Sequence, residues 1–175
     1  MGIRARRFNS YLLLAALMFL AGCQTEARLR KRQVTTLGVH LEARADAGDR
    51  TGPISVFREN PLVLNVQKEP FLNESMVVSA NVIENPGGFA ISVQFDDHGT
   101  RLLEIYSAQN PGKHIVITCQ FGKKLEHKRN LAAPLIPRRI PNGTLVFTPD
   151  ADRAEADDIV YGLNNLAAKT NAGKD

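Results

Sequence analysis

Few residues of this chain have the types and spacing that chemistry requires. Cys119 shares its neighbourhood with His114 and His127, the residue types that make a thiolate nucleophile and its base. An odd offset of five places His114 and Cys119 on opposite faces of a regular strand. A free cysteine inside an apolar strand serves more often as a small buried hydrophobe. Asp96, Asp97 and His98 carry metal-ligating groups, yet no second histidine or acid cluster stands at ligand spacing. The acids fit a helix entrance, where they cap amides and favour the dipole. Asp150, Asp152, Glu155, Asp157 and Asp158 read as the solvated face of a helix, without the glycine of a calcium loop. No catalytic residue, metal ligand or cofactor site is predicted.

The densest charge is basic. Lys123, Lys124, His127, Lys128, Arg129, Arg138 and Arg139 fall within one stretch broken by Pro134 and Pro137. Lys123, Lys124, Arg138 and Arg139 are the expected partner-binding residues. A nucleic-acid partner is not expected, because no tryptophan is present and acids are spread through the chain. Asn142-Gly143-Thr144 reads as a turn.

The amino terminus sets the compartment. Arg4, Arg6 and Arg7 precede an apolar run that ends at Leu20-Ala21-Gly22-Cys23, the layout of a secretory signal. The uncharged stretch from Phe8 to Gly22 is 15 residues, whereas a spanning helix needs roughly 20. Leu-Ala-Gly-Cys resembles the bacterial lipobox, which implies cleavage after Gly22 and a lipid anchor on the Cys23 sulfur. Residue 24 is Gln rather than Asp, which points to the outer membrane over the inner. Residues 1–22 carry three arginines and no acid, so the precursor's +4 becomes +1 in the mature chain. Cys119 is then the only other cysteine, and stability must come from packing. Arg28, Arg30, Lys31 and Arg32 lie in a solvated tether whose cations could rest on anionic headgroups.

The elements that must position these residues are short. Val39, Leu41 and Ala43 alternate with polar residues as in a half-buried strand. Residues 47–53 form a loop cluster, and Ile54–Phe57 and Leu62–Val66 are further strand candidates. Asn73-Glu74-Ser75 can start one helical turn. Ala80–Ile83 and Phe89–Phe95 flank Asn85-Pro86-Gly87-Gly88, a hairpin composition. Asp96 or Asp97 can cap a helix with Leu102, Leu103, Ile105 and Tyr106 on one stripe, stopped by Asn110-Pro111-Gly112. His114–Phe121 predicts a strand with Ile115, Ile117 and Cys119 on one side and Val116 on the other. Leu145–Phe147 predicts a strand, and Thr148-Pro149-Asp150 the start of a helix bearing Ile159, Val160, Leu163, Leu166 and Ala167. The expected fold is α+β, a mainly antiparallel sheet covered by two helices.

These residues also carry a family resemblance. Phe95, Asp96, Gly99, Asn110, Gly112, Lys113, Ala133, Pro134, Phe147 and Thr148 stand in the order found in the head of the first periplasmic domain of SecD, the accessory subunit of bacterial protein export. The similarity runs from about Ala80 to Leu166. It implies a fold and a compartment but no translocase activity, since the mature chain has no membrane helix to carry protons, and it supplies no catalytic residues. The expected organisation is a signal peptide over 1–22, a tether over 23–38, short strands and loops over 39–78, a SecD-head-like domain over 79–168 and a polar tail over 169–175. The expected function is a non-enzymatic, lipid-anchored envelope protein, facing the periplasm, that binds a protein partner and has a link to export. An envelope hydrolase or a purely structural lipoprotein are the alternatives.

Overall fold

The computed structural model describes residues 30–172 except Ala47. Cys23 and the signal segment lie outside the described residues. The chain divides at Arg32/Gln33, and every strand and helix below belongs to the second unit.

β1 (Val34–Leu41) pairs antiparallel with β7 (Ile115–Gly122) along its whole length, from Val34↔Gly122 to Leu41↔Ile115. The two-residue β4 (Leu72–Asn73) joins the other side of β1, and β8 (His127–Ala132) joins β7, giving the order β4-β1-β7-β8. A second antiparallel sheet has the order β5-β6-β9, from Val77–Asn85, Gly88–Phe95 and Thr144–Phe147. β2 (Thr51–Val56) and β3 (Leu62–Gln67) form a separate hairpin. α1 covers Asp97–Gln109 and α2 covers Arg153–Ala172. This is the α+β layering expected from the sequence, with two helices over antiparallel sheets.

β1 starts five residues before the alternation at Val39. Thr35 and Leu37 are buried with Val39 and Leu41, but the polar Thr35 hides the period. Residues 34–38, read as tether, are therefore the first half of a strand. The lead-in segment 39–78 contributes β1 and β4 to the same sheet as β7, so no boundary falls at Ser79. Pairing between segments about 80 residues apart leaves no local signal. α2 extends through Ala172, so residues 169–172 of the expected tail are helical.

β7 is buried on both faces. Ile115, Ile117, Cys119 and Phe121 enter the main core beneath the helices, while Val116 packs with Val56, Val66 and Ala133 under the β2–β3 hairpin. α1 is capped by Asp96, whose Oδ1 accepts from the Gly99 amide at 2.8 Å. Leu103 is fully buried and Leu102 and Tyr106 pack on the core, with Phe71 stacked on Tyr106 at 4.3 Å. Ile105, placed on the same stripe by the sequence, is 48% exposed. Asn73 accepts from the Ser75 amide and caps a 3-10 turn at Glu74–Met76.

α2 does not begin at Thr148-Pro149-Asp150. Its cap is Asp152, which accepts from the Glu155 amide at 2.8 Å while Glu155 Oε2 accepts from the Asp152 amide at 3.3 Å. Such a reciprocal pair satisfies two free amides at once. Ala156, Ile159, Val160 and Leu163 then face the core. The helix rests on β1 and β5 together. At Gly162 it comes so close to β1 that a Cβ would sit 2.1 Å from Thr35 Oγ1 and 2.7 Å from the Thr35 amide. Two residues on, Asn164 accepts from the Ala80 amide at 2.8 Å and donates to the Ala80 carbonyl at 2.9 Å. Asn164 thereby completes the edge of β5.

Gly162→Ala tests that seating. In an exposed helix the change would stabilise by about 1 kcal/mol. Here overpacking against β1 should destabilise by about 1–3 kcal/mol, read as a lower urea midpoint at unchanged slope.

Candidate functional site

Most of the thiol, histidine and acid groups singled out for chemistry are spent on the fold, while Asp97 and His98 are exposed in the first turn of α1. Cys119 is 3% exposed in the main core, and burial pushes its thiol up to about 12. His114 lies at the head of β7, where its amide and its Nδ1 both contact Glu42 Oε2 at 2.8 Å. The amide bond from His114 is the chief reason the Glu42 carboxyl is held below its ordinary range. His127 leans on the Phe121 ring at 5.2 Å. Among the described residues no group of three or more His, Cys, Asp and Glu side chains gathers as a metal site would require.

The four cations expected to bind a partner do not meet. Lys123 and Lys124 occupy the β7–β8 turn, next to Gly122 and hence next to Val34. Arg138 and Arg139 follow Ile136, which bonds Lys113 at the opposite end of β7. Eight strand residues separate the two pairs, about 23 Å at 3.3 Å per residue. Proximity in sequence was misleading because β7 and β8 run along each other between the two pairs. Arg139 is in addition paired with Glu104, and Arg129 with Glu155 at 2.7 Å.

A different site emerges where three connections converge. Phe57 follows β2, Ala132–Pro134 follow β8 and Phe147–Asp150 follow β9, and together they line an open groove of about 450 Å³. The walls are largely apolar, and Phe57 stands at the rim, 38% exposed. The sequence placed Phe57 in a strand, but its φ is +69°. A left-handed conformation costs a side-chain-bearing residue roughly 1–2 kcal/mol, and such strain persists only where neighbours enforce it. The next residue supplies the enforcement. The Arg58 amide donates to Asp150 Oδ2 at 2.9 Å, and its guanidinium reaches Asp150 Oδ2 at 3.3 Å and Glu155 Oε2 at 3.7 Å. Asn130 Nδ2 donates to the Ser55 carbonyl at 2.8 Å and pins the hairpin to β8 from the other side.

The Asp150 charge in the groove wall is thereby neutralised by Arg58, which leaves an apolar slot. β9 runs into it from the edge of its sheet, with β6 on one side and, among the described residues, no strand on the other. An exposed strand edge is a template for an added extended segment. Nothing in the sequence marked Phe57, because a backbone angle and a contact with residue 150 have no local signature. Ala133, Pro134, Phe147 and Thr148 were noticed only for their family resemblance.

No family model matches the chain, and no curated protein matches it in sequence. No helix among the described residues is long and apolar enough to cross a membrane. Two solved structures share the fold. One, of a membrane component SecDF that enhances protein export, aligns at TM-score 0.55 and 19% identity over 81% of this chain and 67% of that one. The other, of SecDF in a super-membrane-facing form, aligns at TM-score 0.56 and 19% identity over 81% of this chain and 20% of that one.

A thiol titrating near 12 leaves about one molecule in ten thousand as thiolate at pH 8. In the chain from Gln24 onward, where Cys119 is the one thiol, Ellman's reagent should therefore leave the folded protein almost untouched and modify Cys119 rapidly once urea unfolds it. Fast native modification would contradict the burial. The fold nonetheless carries the expected likeness: at the level of fold, this chain is similar to SecDF.

Proposed function

We propose that this chain is a non-enzymatic, lipid-anchored protein of a bacterial cell envelope whose SecDF-like domain faces the periplasm and holds an extended apolar stretch of a protein partner, with a link to protein export. The carrying observation is the groove at the end of β9, rimmed by a strained and exposed Phe57. The groove offers apolar contact and a strand edge, with its one carboxylate already paired. Polypeptide in extended form satisfies such a site through alternate side chains and main-chain bonds. Reaction chemistry would instead call for convergent polar groups of shifted acidity. Among the described residues the groups whose acidity is shifted, Glu42, Asp49, Cys119, Glu126 and Arg153, do not line this groove.

The anchor reading rests on Leu20-Ala21-Gly22-Cys23. Cells fed labelled palmitate should mark the wild-type chain and not the Cys23→Ser variant. Equal labelling of both, or of neither, would remove the anchor.

Phe57→Gly separates strain from binding. Glycine adopts a left-handed φ freely, so folding stability should stay within about 1 kcal/mol of wild type. Affinity for an uncharged extended peptide of alternating Val, Thr and Leu, followed by fluorescence anisotropy, should fall roughly tenfold or more. Equal affinity in two well-folded proteins would sink the groove as the binding site.

A further inference from the structure

We propose that the end of the domain where Val34 meets Gly122 is a docking surface for an anionic lipid membrane. Three features of the second unit share that end. β1 starts there, opposite the last residue of β7. The β7–β8 turn projects Lys123 and Lys124 beyond the strands. α2 finishes there too: Asn165 Nδ2 donates to the Gln33 carbonyl at 3.0 Å, and Lys169 follows one helical turn later, roughly 6 Å along the axis.

The turn holds its lysines in a fixed pose. Gly122 and Leu125 are both left-handed, at φ +103° and +57°, and the Leu125 amide donates to the Gly122 carbonyl at 3.3 Å. Glu126 is the acid within the turn. Its carboxylate accepts from the Lys124 amide at 2.7 Å, and that backbone bond is the chief reason the carboxyl is held below its ordinary range, with Lys123 nearby adding a smaller attraction but no ion pair within 4 Å. Lys123, Lys124 and Lys169 are exposed, and among the described residues none has an ion pair within 4 Å. Most other cations near a groove or helix start are paired, as Arg58, Arg129, Arg139 and Arg153 show. Among the described residues exposed cations outside any ion pair also stand elsewhere, at Arg44, Arg101, Lys113, Lys128 and Arg138, but Lys123, Lys124 and Lys169 share the end where the chain enters the domain.

Connectivity names the occupant. The ten residues before Gln33 reach back to Cys23 and carry Arg28, Arg30, Lys31 and Arg32 against the single acid Glu26. Ten residues span at most about 36 Å when fully extended. A chain held at Cys23 keeps this end nearest the bilayer, and its charge is opposite to that of phosphate headgroups. Each lysine close to such a surface strengthens binding by roughly fivefold. The surface goes beyond the groove reading; its occupant rests on the anchor reading at Cys23, while the attraction itself is between charges and is tested without the acyl chain.

Every buried apolar residue described lies between Leu37 and Ala167, so the chain from Gln24 onward keeps its whole core and is the protein to test. In co-sedimentation it should bind vesicles with about 30% phosphatidylglycerol and ignore pure phosphatidylcholine. Binding should disappear as salt rises from about 0.1 to 1 M and the screening length shrinks to about 3 Å. The triple variant Lys123→Ser, Lys124→Ser, Lys169→Ser, all at exposed positions, should keep the wild-type circular dichroism and bind about a hundredfold more weakly. Lys113→Ser with Arg138→Ser, at the opposite end of β7, should bind as wild type does. Unchanged binding by the triple variant would overturn the surface and assign any attraction to residues 28–32. An equal loss in the Lys113/Arg138 variant would reduce it to net charge. Capture of soluble poly-glutamate without capture of vesicles would assign it to an acidic protein instead.

Discussion

The seating of α2 across β1 and β5 is the constraint on which the rest of the structure depends. β1 belongs to the four-stranded sheet and β5 to the three-stranded one, and the two share no ladder. Gly162 allows the helix backbone to approach Thr35, which is fully buried with no hydrogen-bond partner for its hydroxyl in the structure. Asn164 serves both backbone groups of Ala80. A buried amide or carbonyl left unpaired costs about 1–3 kcal/mol, so this side chain replaces the strand that the edge of β5 lacks. Leu163, between these two polar contacts, is 1% exposed in the core. Helix position, sheet edge and core closure are therefore one arrangement.

The same helix secures the groove through its first turn. Glu155 closes the capping box with one oxygen and pairs with Arg129 through the other at 2.7 Å. It also stands 3.7 Å from Arg58, which bonds Asp150 and holds Phe57 in its left-handed pose. Pairs this exposed contribute only about 0–1 kcal/mol each. Their effect is geometric: they fix a loop that carries strain. An aromatic residue at +69° where glycine would be free of cost is difficult to reconcile with stability alone, since replacing the ring would relieve the backbone. What the ring adds is an apolar rim above Pro134 and Phe147.

Elements with a local rule were legible in the sequence. The β5–β6 hairpin follows from Pro86-Gly87 between alternating residues, α1 from Asp96 as its cap, and the two-faced β7 from its period. Misreadings arose where a distant partner outweighed a local signal. Thr148-Pro149-Asp150 has the composition of a helix start, yet Asp150 is bound by Arg58 from 92 residues away, and the helix waits for Asp152. Thr35 reads as polar tether because its burial is imposed by Gly162 on a helix 127 residues later. The basic stretch 123–139 looks like one patch in sequence, but β8 carries its two halves to opposite ends of β7. The groove itself draws on three connections, none with a composition of its own.

β8 also gives the molecule its polarity. His127, beside Phe121, lies close to the lysine turn, and Ala132, beside Ile117, opens into the groove. Pro134 accepts from the Ile115 amide at the far end of β7. The groove thus lies about 20 Å along the strands from Gly122. An anionic surface docked at the lysine end would leave the groove on the side away from the lipid, open to a chain in the surrounding compartment. The rigid ladder from Val34↔Gly122 to Leu41↔Ile115 sets that separation, and no loop intervenes to relax it. The two proposed surfaces therefore do not compete for space, and occupation of one leaves the geometry of the other unchanged.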